Sequence, residues 1–558
     1  MKNWLVFIAC LWAFQVSAQT TYPAAGCSQA QIQAAITAEQ AAPADGDIIS
    51  IPAGSCTWTG SQQVNATFNN SVTIQGAGAI SATTGGASTT GTDQTVILNN
   101  TTGNGTIFAF GTVAGKSFRF TGIALTQNGS SPFTANGVLN ITGTSSAVRV
   151  DHCHLQIAIN GSSTDIYVGG SVTGVADHDF FDDAALPVVF NMAFHNGVGW
   201  NGDTQPYGDG SWTDTEHWGS SEFFFVEDNQ FSNGGLGDGG DGARYVFRHN
   251  TVLGTVASTS SCSGGPLQQF NHGADPGRYR ATRAAEVYLN NYSNPGNCGS
   301  PVYSLNSGTI LFWGNTITGG FANGLLVAYN FRNLAGGGGN YNYTGNWGFC
   351  GSAAGGPTGW DGNLNSASGY PCMDQPGRGK GDLLSGNFAQ NGGSGVCNIT
   401  RSPGCNSLNP QYPRQALSPI YTWMNTWTPL YFTANPLFAN QSGGSSTGLA
   451  TNNQDYFTDC TSINNPSCAG GFTGAAGTGY GVLASRPSTC TGNIDPMTGG
   501  AAPGVAYWAT DTNTLYVCNP TNTWTTYYAP YTYPHPLTQS TQGASVPAPP
   551  TGLVATVQ

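Results

Sequence analysis

The stretch Tyr245-Val246-Phe247-Arg248-His249-Asn250-Thr251-Val252 decides the fold. Apolar and polar side chains alternate up to an Asn, and a second apolar run starts directly after it, which is a strand, a sharp turn and another strand. The same unit stands upstream in Phe224-Phe225-Val226-Glu227-Asp228-Asn229 and downstream in Glu286-Val287-Tyr288-Leu289-Asn290-Asn291 and Ile310-Leu311-Phe312-Trp313-Gly314-Asn315. Asn250 follows Asn229 by 21 residues, and Asn315 follows Asn290 by 25. A strand–turn–strand unit recurring at that period is the signature of a β-solenoid. A left-handed turn residue lets one strand bend into the next, and Asn tolerates that conformation while its amide reaches the neighbouring coil. Stacked Asn side chains would then form a ladder, with Val, Ile and Phe stacked inside.

Working outward, the runs Ser71–Gly76, Ser117–Gly122 and Ala147–Asp151 extend the pattern toward the N-terminus, and Leu326–Asn330 closes it. Ser28 to Ala42 carries Ile32 and Ile36 at helical spacing, a short helix able to cover the open edge of the first coil. Residues 346–540 are rich in Gly and Cys; Val505–Ala509, Thr514–Cys518 and Thr523–Tyr528 predict a three-stranded meander, followed by the extended segment Pro530–Leu537. The organisation expected is therefore a signal peptide over 1–18, an N-terminal cap and first coil over 19–59, and a parallel β-helix over 60–345. A C-terminal β cap over 346–540 and a Pro-rich linker over 541–558, opening a truncated β-sandwich-like module, complete it.

These coil patterns resemble the pectate-lyase-like right-handed parallel β-helix superfamily over roughly residues 27–345. The resemblance implies an all-β solenoid with a capping helix and, as the activity, cleavage of an acidic extracellular polysaccharide by β-elimination. It identifies a fold better than a reaction. The Asn-Thr-Asp, Asp-Asp and Gly-His-Gly motifs of the polygalacturonase-like hydrolases are absent as a set, and so are the calcium-carboxylate and arginine motifs of the pectate lyases. Glycoside hydrolysis, and a non-catalytic glycan-binding or structural surface protein, are the alternatives.

Lys2, the apolar run Trp4–Phe14 and the small-x-small site at Val16–Ala18 predict export. Cysteine usage agrees with an oxidising compartment. Twelve cysteines fall into local couples, Cys27/Cys56, Cys262/Cys298, Cys350/Cys372, Cys397/Cys405, Cys460/Cys468 and Cys490/Cys518, while Cys153 reads as a small buried side chain. No further stretch has the length and apolarity of a membrane span, so the mature protein is expected to be a secreted or surface-bound monomer. The net charge of −13 argues against nucleic acid and gives no long-range attraction for a polyanion.

Titratable groups concentrate between residues 177 and 286. For β-elimination the expected bases and carboxylate binders are Arg244, Arg248, His249, His272, Arg278, Arg280 and Arg283, with Asp177, Asp179, Asp182 and Asp183 offered as ligands for Ca²⁺. Hydrolysis would use a pair among Asp182, Asp183, Glu216, Asp238 and Asp241. Trp200, Tyr207, Trp212 and Trp218, with Glu216 and His217, are expected to contact sugar. Arg283 and Glu286 are read as a candidate structural ion pair, and Arg244 and Arg248 share one strand face.

Overall fold

Alternation in the strands and the regular turn positions generate three long parallel sheets. The computed structural model describes residues 19–539, apart from 104, 128–135, 158–163, 184–189, 203–207, 255–268, 272–279, 298, 329–373, 375, 382–414, 442–449, 461–465, 469 and 496–498. The expected signal peptide over 1–18 and the linker over 541–558 lie outside the described residues. The first sheet has twelve strands, from Thr21–Pro23 to Tyr456–Phe457; the second and third have ten each. Each coil contributes one strand to each sheet in turn, as in Arg244–Arg248, Thr251–Leu253 and Gln269–Asn271. Every such strand pairs in parallel with those of the coils before and after, the arrangement of a right-handed parallel β-helix. No helix among the described residues is long and apolar enough to cross a membrane.

The interior is a set of stacked columns. In the first sheet Val150, Ala176, Val226, Phe247, Val287 and Phe312 point inward and are buried. Each large member contributes roughly 1.5–3 kcal/mol through burial. The helix Gln29–Gln40 seals the N-terminal end with Ile32, Ala35 and Ile36, tied down by the Cys27–Cys56 disulfide. Cys460–Cys468 and Cys490–Cys518 are likewise bonded, and Cys153 is a buried thiol. Three of the six expected disulfides therefore form as the local spacing predicts. The other three couples, Cys262 with Cys298, Cys350 with Cys372 and Cys397 with Cys405, lie outside the described residues.

The corner between the first and second sheets carries the predicted ladder, with one correction. The left-handed residue is not the Asn but the one before it: His152, His178, Asp228, His249, Leu289, Gly314 and Met424 all have φ between 53° and 64°. The following residue turns inward and becomes the rung. Asn229, Asn250, Asn290, Asn315 and Asn425 are joined by amide hydrogen bonds of 3.0–3.1 Å from each Nδ2 to the next Oδ1. Each Oδ1 also accepts the preceding rung's backbone N–H. Asp179 occupies the rung before Asn229 and Cys153 the one before that: Cys153 N–H donates to Asp179 Oδ1 at 2.8 Å, and Asp179 N–H to Asn229 Oδ1 at 2.7 Å.

The C-terminal strands Thr478–Gly481, Ala506–Ala509, Thr514–Cys518 and Trp524–Tyr528 form one small sheet, antiparallel over its last three. It lies against the outer face of the first sheet. Tyr288, Trp313 and Trp423 stack there at 4.6 and 5.5 Å, and Trp508 packs on them. The segment Tyr531–His535 then runs back along the same face toward the N-terminal coils, meeting Phe225 and Arg248.

Two outcomes follow from the ladder. Asn250→Ala strips buried partners from the Val226 and Arg248 carbonyls and from the Asn229 N–H. It should lower unfolding free energy by about 3 kcal/mol or more, measured by denaturant titration, whereas Asn65→Ala on the exposed outer face should change it by under about 0.5 kcal/mol. Asp179 is fully buried, and burial pushes its carboxyl well above the usual range. A raised folded pKa gives stability that is complete below the unfolded value and is lost as pH rises toward the folded value. Asp179→Asn should therefore stabilise the protein at pH 8 but not at pH 4, read from paired melting curves.

Candidate functional site

The outer face of the third sheet brings together Asp165, Tyr167, Asn191, His195 and Asp238, with Asp241 just beyond the last. Alternation along Thr164–Gly169 sends Ile166 and Val168 inward and leaves Asp165 and Tyr167 outward; along Phe190–His195 it leaves Asn191, Ala193 and His195 outward. The register places Tyr167 beside Ala193, and Asp238 beside Ala193 on the other side. Neighbouring strands are about 4.8 Å apart and alternate residues about 6.7 Å, so Asp238 and His195 are diagonal neighbours on one floor. His195 Nδ1 lies 2.6 Å from Asp241 Oδ2, and its ring stacks on Tyr167 at 5.0 Å. Asp241 sits in a left-handed turn, φ 51°, with the backbone of Gly197 and Gly208 packed against it. Burial, then the Asp241 charge, pushes the Tyr167 hydroxyl above its usual range.

At the edge of this face, where the second sheet hands over to the third, Asp183 approaches Asp165 and Asn191. Asp183 accepts the Ile157 N–H at 2.7 Å and the Asn191 amide at 2.8 Å. All three side chains are buried.

The expected arginine site is dispersed and filled. Arg244 and Arg248 do share the outer face of their strand, yet both are sealed. Arg244 donates to Ser211 Oγ (2.8 Å) and to the carbonyls of Ser211, Thr215 and Glu216 (2.7–2.8 Å), beneath the Trp200 ring at 4.4 Å. Burial and the adjacent Arg283 push it below the usual arginine range, but four oxygen acceptors demand the charged form and leave no lone pair to act as a base. Arg283 binds Glu216 Oε1 (2.8 Å) and the Asp214 carbonyl, so its ion partner is Glu216 rather than Glu286. Burial raises the Glu216 carboxyl, but Arg283 and the Ser418 hydroxyl outweigh it and hold it below its ordinary value. Arg280 pairs with Asp374 at 2.8 Å, with Trp212 packed over both Arg280 and Arg283.

Arg248 lies at the other end of the same strand, on the same outer face, bound to Glu227 (2.6 Å) and to the carbonyls of Tyr531 and Thr532. His249 is stacked under Tyr533 at 3.7 Å, and burial pushes its imidazole down to about 4. Neither reaches a groove. The expected sugar platform also fails: Trp212 and Trp200 are buried beneath guanidinium groups, and Trp218 is half-buried against Phe223. His217 binds Asp214 at 2.9 Å, inside the same loop. Tyr207, His272 and Arg278 lie outside the described residues.

The four-aspartate calcium site does not form. Asp177 is held by Arg149 through two bonds of 2.8 Å, Asp179 is a ladder rung, Asp182 points outward from the second sheet, and Asp183 turns toward the third. Of the five carboxylates expected for hydrolysis, Asp238 and Asp241 come to one face, with Asp183 at its edge. Asp165, Tyr167 and Asn191 were missed by reading charge density alone. Their signal was strand alternation, since Ile166, Val168, Met192 and Phe194 fix which neighbours face out.

If Arg244 anchors the loop 208–219, Arg244→Lys should cost about 2–4 kcal/mol, because an ammonium cannot span the same acceptors. Hydrogen exchange should rise in that loop while the ladder strands stay protected.

Among protein-family models none matches this chain. No curated protein matches it either. Two solved structures show distant likeness: the catalytic domain of a GH87 alpha-1,3-glucanase in complex with tetrasaccharides, at 11% identity and a TM-score of 0.27, and the catalytic unit of a thermostable GH87 alpha-1,3-glucanase from Streptomyces thermodiastaticus strain HF3-3, at 13% and 0.21. The alignments cover 75% and 56% of this chain, and span 64% and 66% of the respective structures.

Proposed function

We propose that this protein is a secreted glycan-active enzyme that hydrolyses an uncharged polysaccharide on the outer face of its third sheet. The supporting observation is the convergence of Asp238 and the His195–Asp241 pair on one face. None of the ten third-sheet strands contains Arg or Lys, and the net charge is −13. A polyanion would meet repulsion here; a neutral glycan would not.

Hydrolysis needs one carboxyl group to protonate the leaving oxygen and another to activate water or attack the anomeric carbon. On this reading Asp241, bonded to His195 at 2.6 Å, takes the first role and Asp238 the second. Ala193 lies between them, and it and both carboxylates are buried.

β-Elimination is the second reading, favoured by the stacking of Tyr167 on His195. There a neutral His195, oriented by Asp241, would take the proton next to the uronate carboxylate, and Tyr167 would protonate the departing oxygen. Of the arginine bases expected from the sequence, Arg244, Arg248, Arg280 and Arg283 are buried in bonds to carbonyls, hydroxyls and carboxylates.

Reducing-end release and the ultraviolet absorbance of unsaturated products, measured across neutral and acidic polysaccharides, separate these readings. Reducing ends from a neutral glycan, with no unsaturated product, are expected. Asp238→Asn and Asp241→Asn should each lower the rate by about 10²-fold or more with little change in melting temperature. An unsaturated product lost in His195→Ala would favour elimination. Silence on every substrate, with retained binding, would make the protein a glycan-binding surface protein instead.

A further inference from the structure

The corner formed by Asp165, Asp183 and Asn191 has a different chemistry from the groove beside it. Asp165 and Asn191 lie on adjacent strands of the third sheet, between the register pairs Thr164–Phe190 and Ile166–Met192. Asp183 follows the second-sheet strand Phe180–Asp182 and turns its carboxylate toward them. The three side chains are 0–2% exposed. The carboxyl groups of Asp165 and Asp183 are within hydrogen-bonding reach of each other. No Arg, Lys or His is bonded to either one among the described residues.

Two oxygens in this corner are left over. Asp165 Oδ2 and Asn191 Oδ1 are both buried with no hydrogen-bond partner. Such orphaned acceptors are costly and rare in a folded protein. A proton shared between the two carboxyl groups serves one of them at most. A cation between the carboxylates would serve the Asp165 oxygen, and the Asn191 oxygen too once that amide is turned, and it would balance two carboxylates that no Arg, Lys or His bonds among the described residues. Turning the Asn191 amide by half a revolution, which exchanges its oxygen and nitrogen, would direct its Oδ1 toward the position now facing Asp183. Gly234 lines the same space with φ 70°, where an added Cβ would come within 2.7 Å of Asp183 Oδ2 and 3.2 Å of Asn191 Oδ1. The main chain therefore keeps this cradle clear.

We infer that Asp165, Asp183 and Asn191 form a buried site for a hard divalent cation of the calcium class, clamping the handover from the second sheet to the third. Oxygen-only donors exclude a preference for softer metals, and a dry site disfavours Mg²⁺, which keeps its waters. The site is separate from the four aspartates expected from the sequence, of which it uses only Asp183. It is independent of the hydrolytic reading.

Isothermal titration of the chelator-stripped full-length protein with Ca²⁺ tests it, alongside melting curves in Ca²⁺ and in EDTA. One ion per chain is expected, with a melting temperature several degrees higher in Ca²⁺ than in EDTA. The double variant Asp165→Asn, Asp183→Asn should lose both the binding and the Ca²⁺-dependent shift while still folding by circular dichroism, because two neutral amides suit a buried corner without an ion. Asp238→Asn should retain both. Absence of binding by the wild-type protein, or binding unchanged in the double variant, would overturn the proposal and leave a shared proton as the account of this corner. Should the double variant fail to fold, the wild-type comparison between Ca²⁺ and EDTA still decides, since equal melting temperatures refute the site.

Discussion

A parallel β-helix must turn a corner in every coil without leaving buried peptide groups unpaired, and the corner between the first and second sheets meets that demand through the ladder. A rung faces the core, where water cannot supply a partner. Its Oδ1 accepts the N–H of the preceding rung, and its Nδ2 binds carbonyls in its own and the preceding coil, as Asn250 does with Arg248 and Val226. The left-handed residue just before each rung makes the bend that sends the rung inward. Together these two positions set the register. A slip of one residue would exchange the inward Tyr245 and Phe247 for the outward Arg244, Val246 and Arg248, so all outer-face chemistry is conditional on this corner.

With the register fixed, the outer face of the first sheet becomes a lattice of charge and aromatic rings. Toward the N-terminus Arg119 clasps Asp151 and Arg149 clasps Asp177, and His152 and His178 stack on each other above their aspartates at 5.3 Å. Midway, Glu227 and Arg248 are no longer solvated, and the main chain of Tyr531, Thr532 and His535 supplies the missing partners. Further along, Tyr288, Trp313 and Trp423 need apolar cover, and Trp508 and Tyr528 provide it. The C-terminal segment is thus dictated by the face it covers: carbonyls over the guanidinium, indoles over indoles.

The solenoid was legible because its period, its Asn positions and its inward apolar columns are all local patterns. The helix over Ile32 and Ile36 was legible for the same reason. The partners of the charged residues were not. Arg283 stands three residues from Glu286, yet it bonds Glu216 in a loop some seventy residues earlier, because Glu286 faces Gly219 and the meander instead. Density of charge between residues 177 and 286 mixes three environments: a ladder corner, a buried loop anchor and the outer face of the third sheet. Strand alternation and the left-handed corner separate them: the turn at His178 sends Asp179 inward as a rung while Asp177 stays on the outer face, and His249 is itself the corner residue after Arg248.

The location of the candidate chemistry follows from what the other two faces already do. The first sheet's outer side is occupied by ion pairs in its N-terminal half and by the C-terminal segment further on. Beyond His154 and Asp182, the second sheet presents rows of hydroxyls and amides, Gln230, Thr251, Asn291, Thr316 and Thr426 in register, which hydrogen-bond well but do not titrate near neutrality. The third sheet sets Asp238 diagonally beside the His195–Asp241 pair, whereas Asp151 and Asp177 on the first sheet are clasped by arginines. Its lack of arginine and lysine is equally informative. Among the described residues arginines such as Arg119, Arg244, Arg248 and Arg283 are spent on carbonyls and carboxylates, so on the proposed reading selectivity on this face comes from neutral hydrogen bonding and from the His195–Asp241 pair.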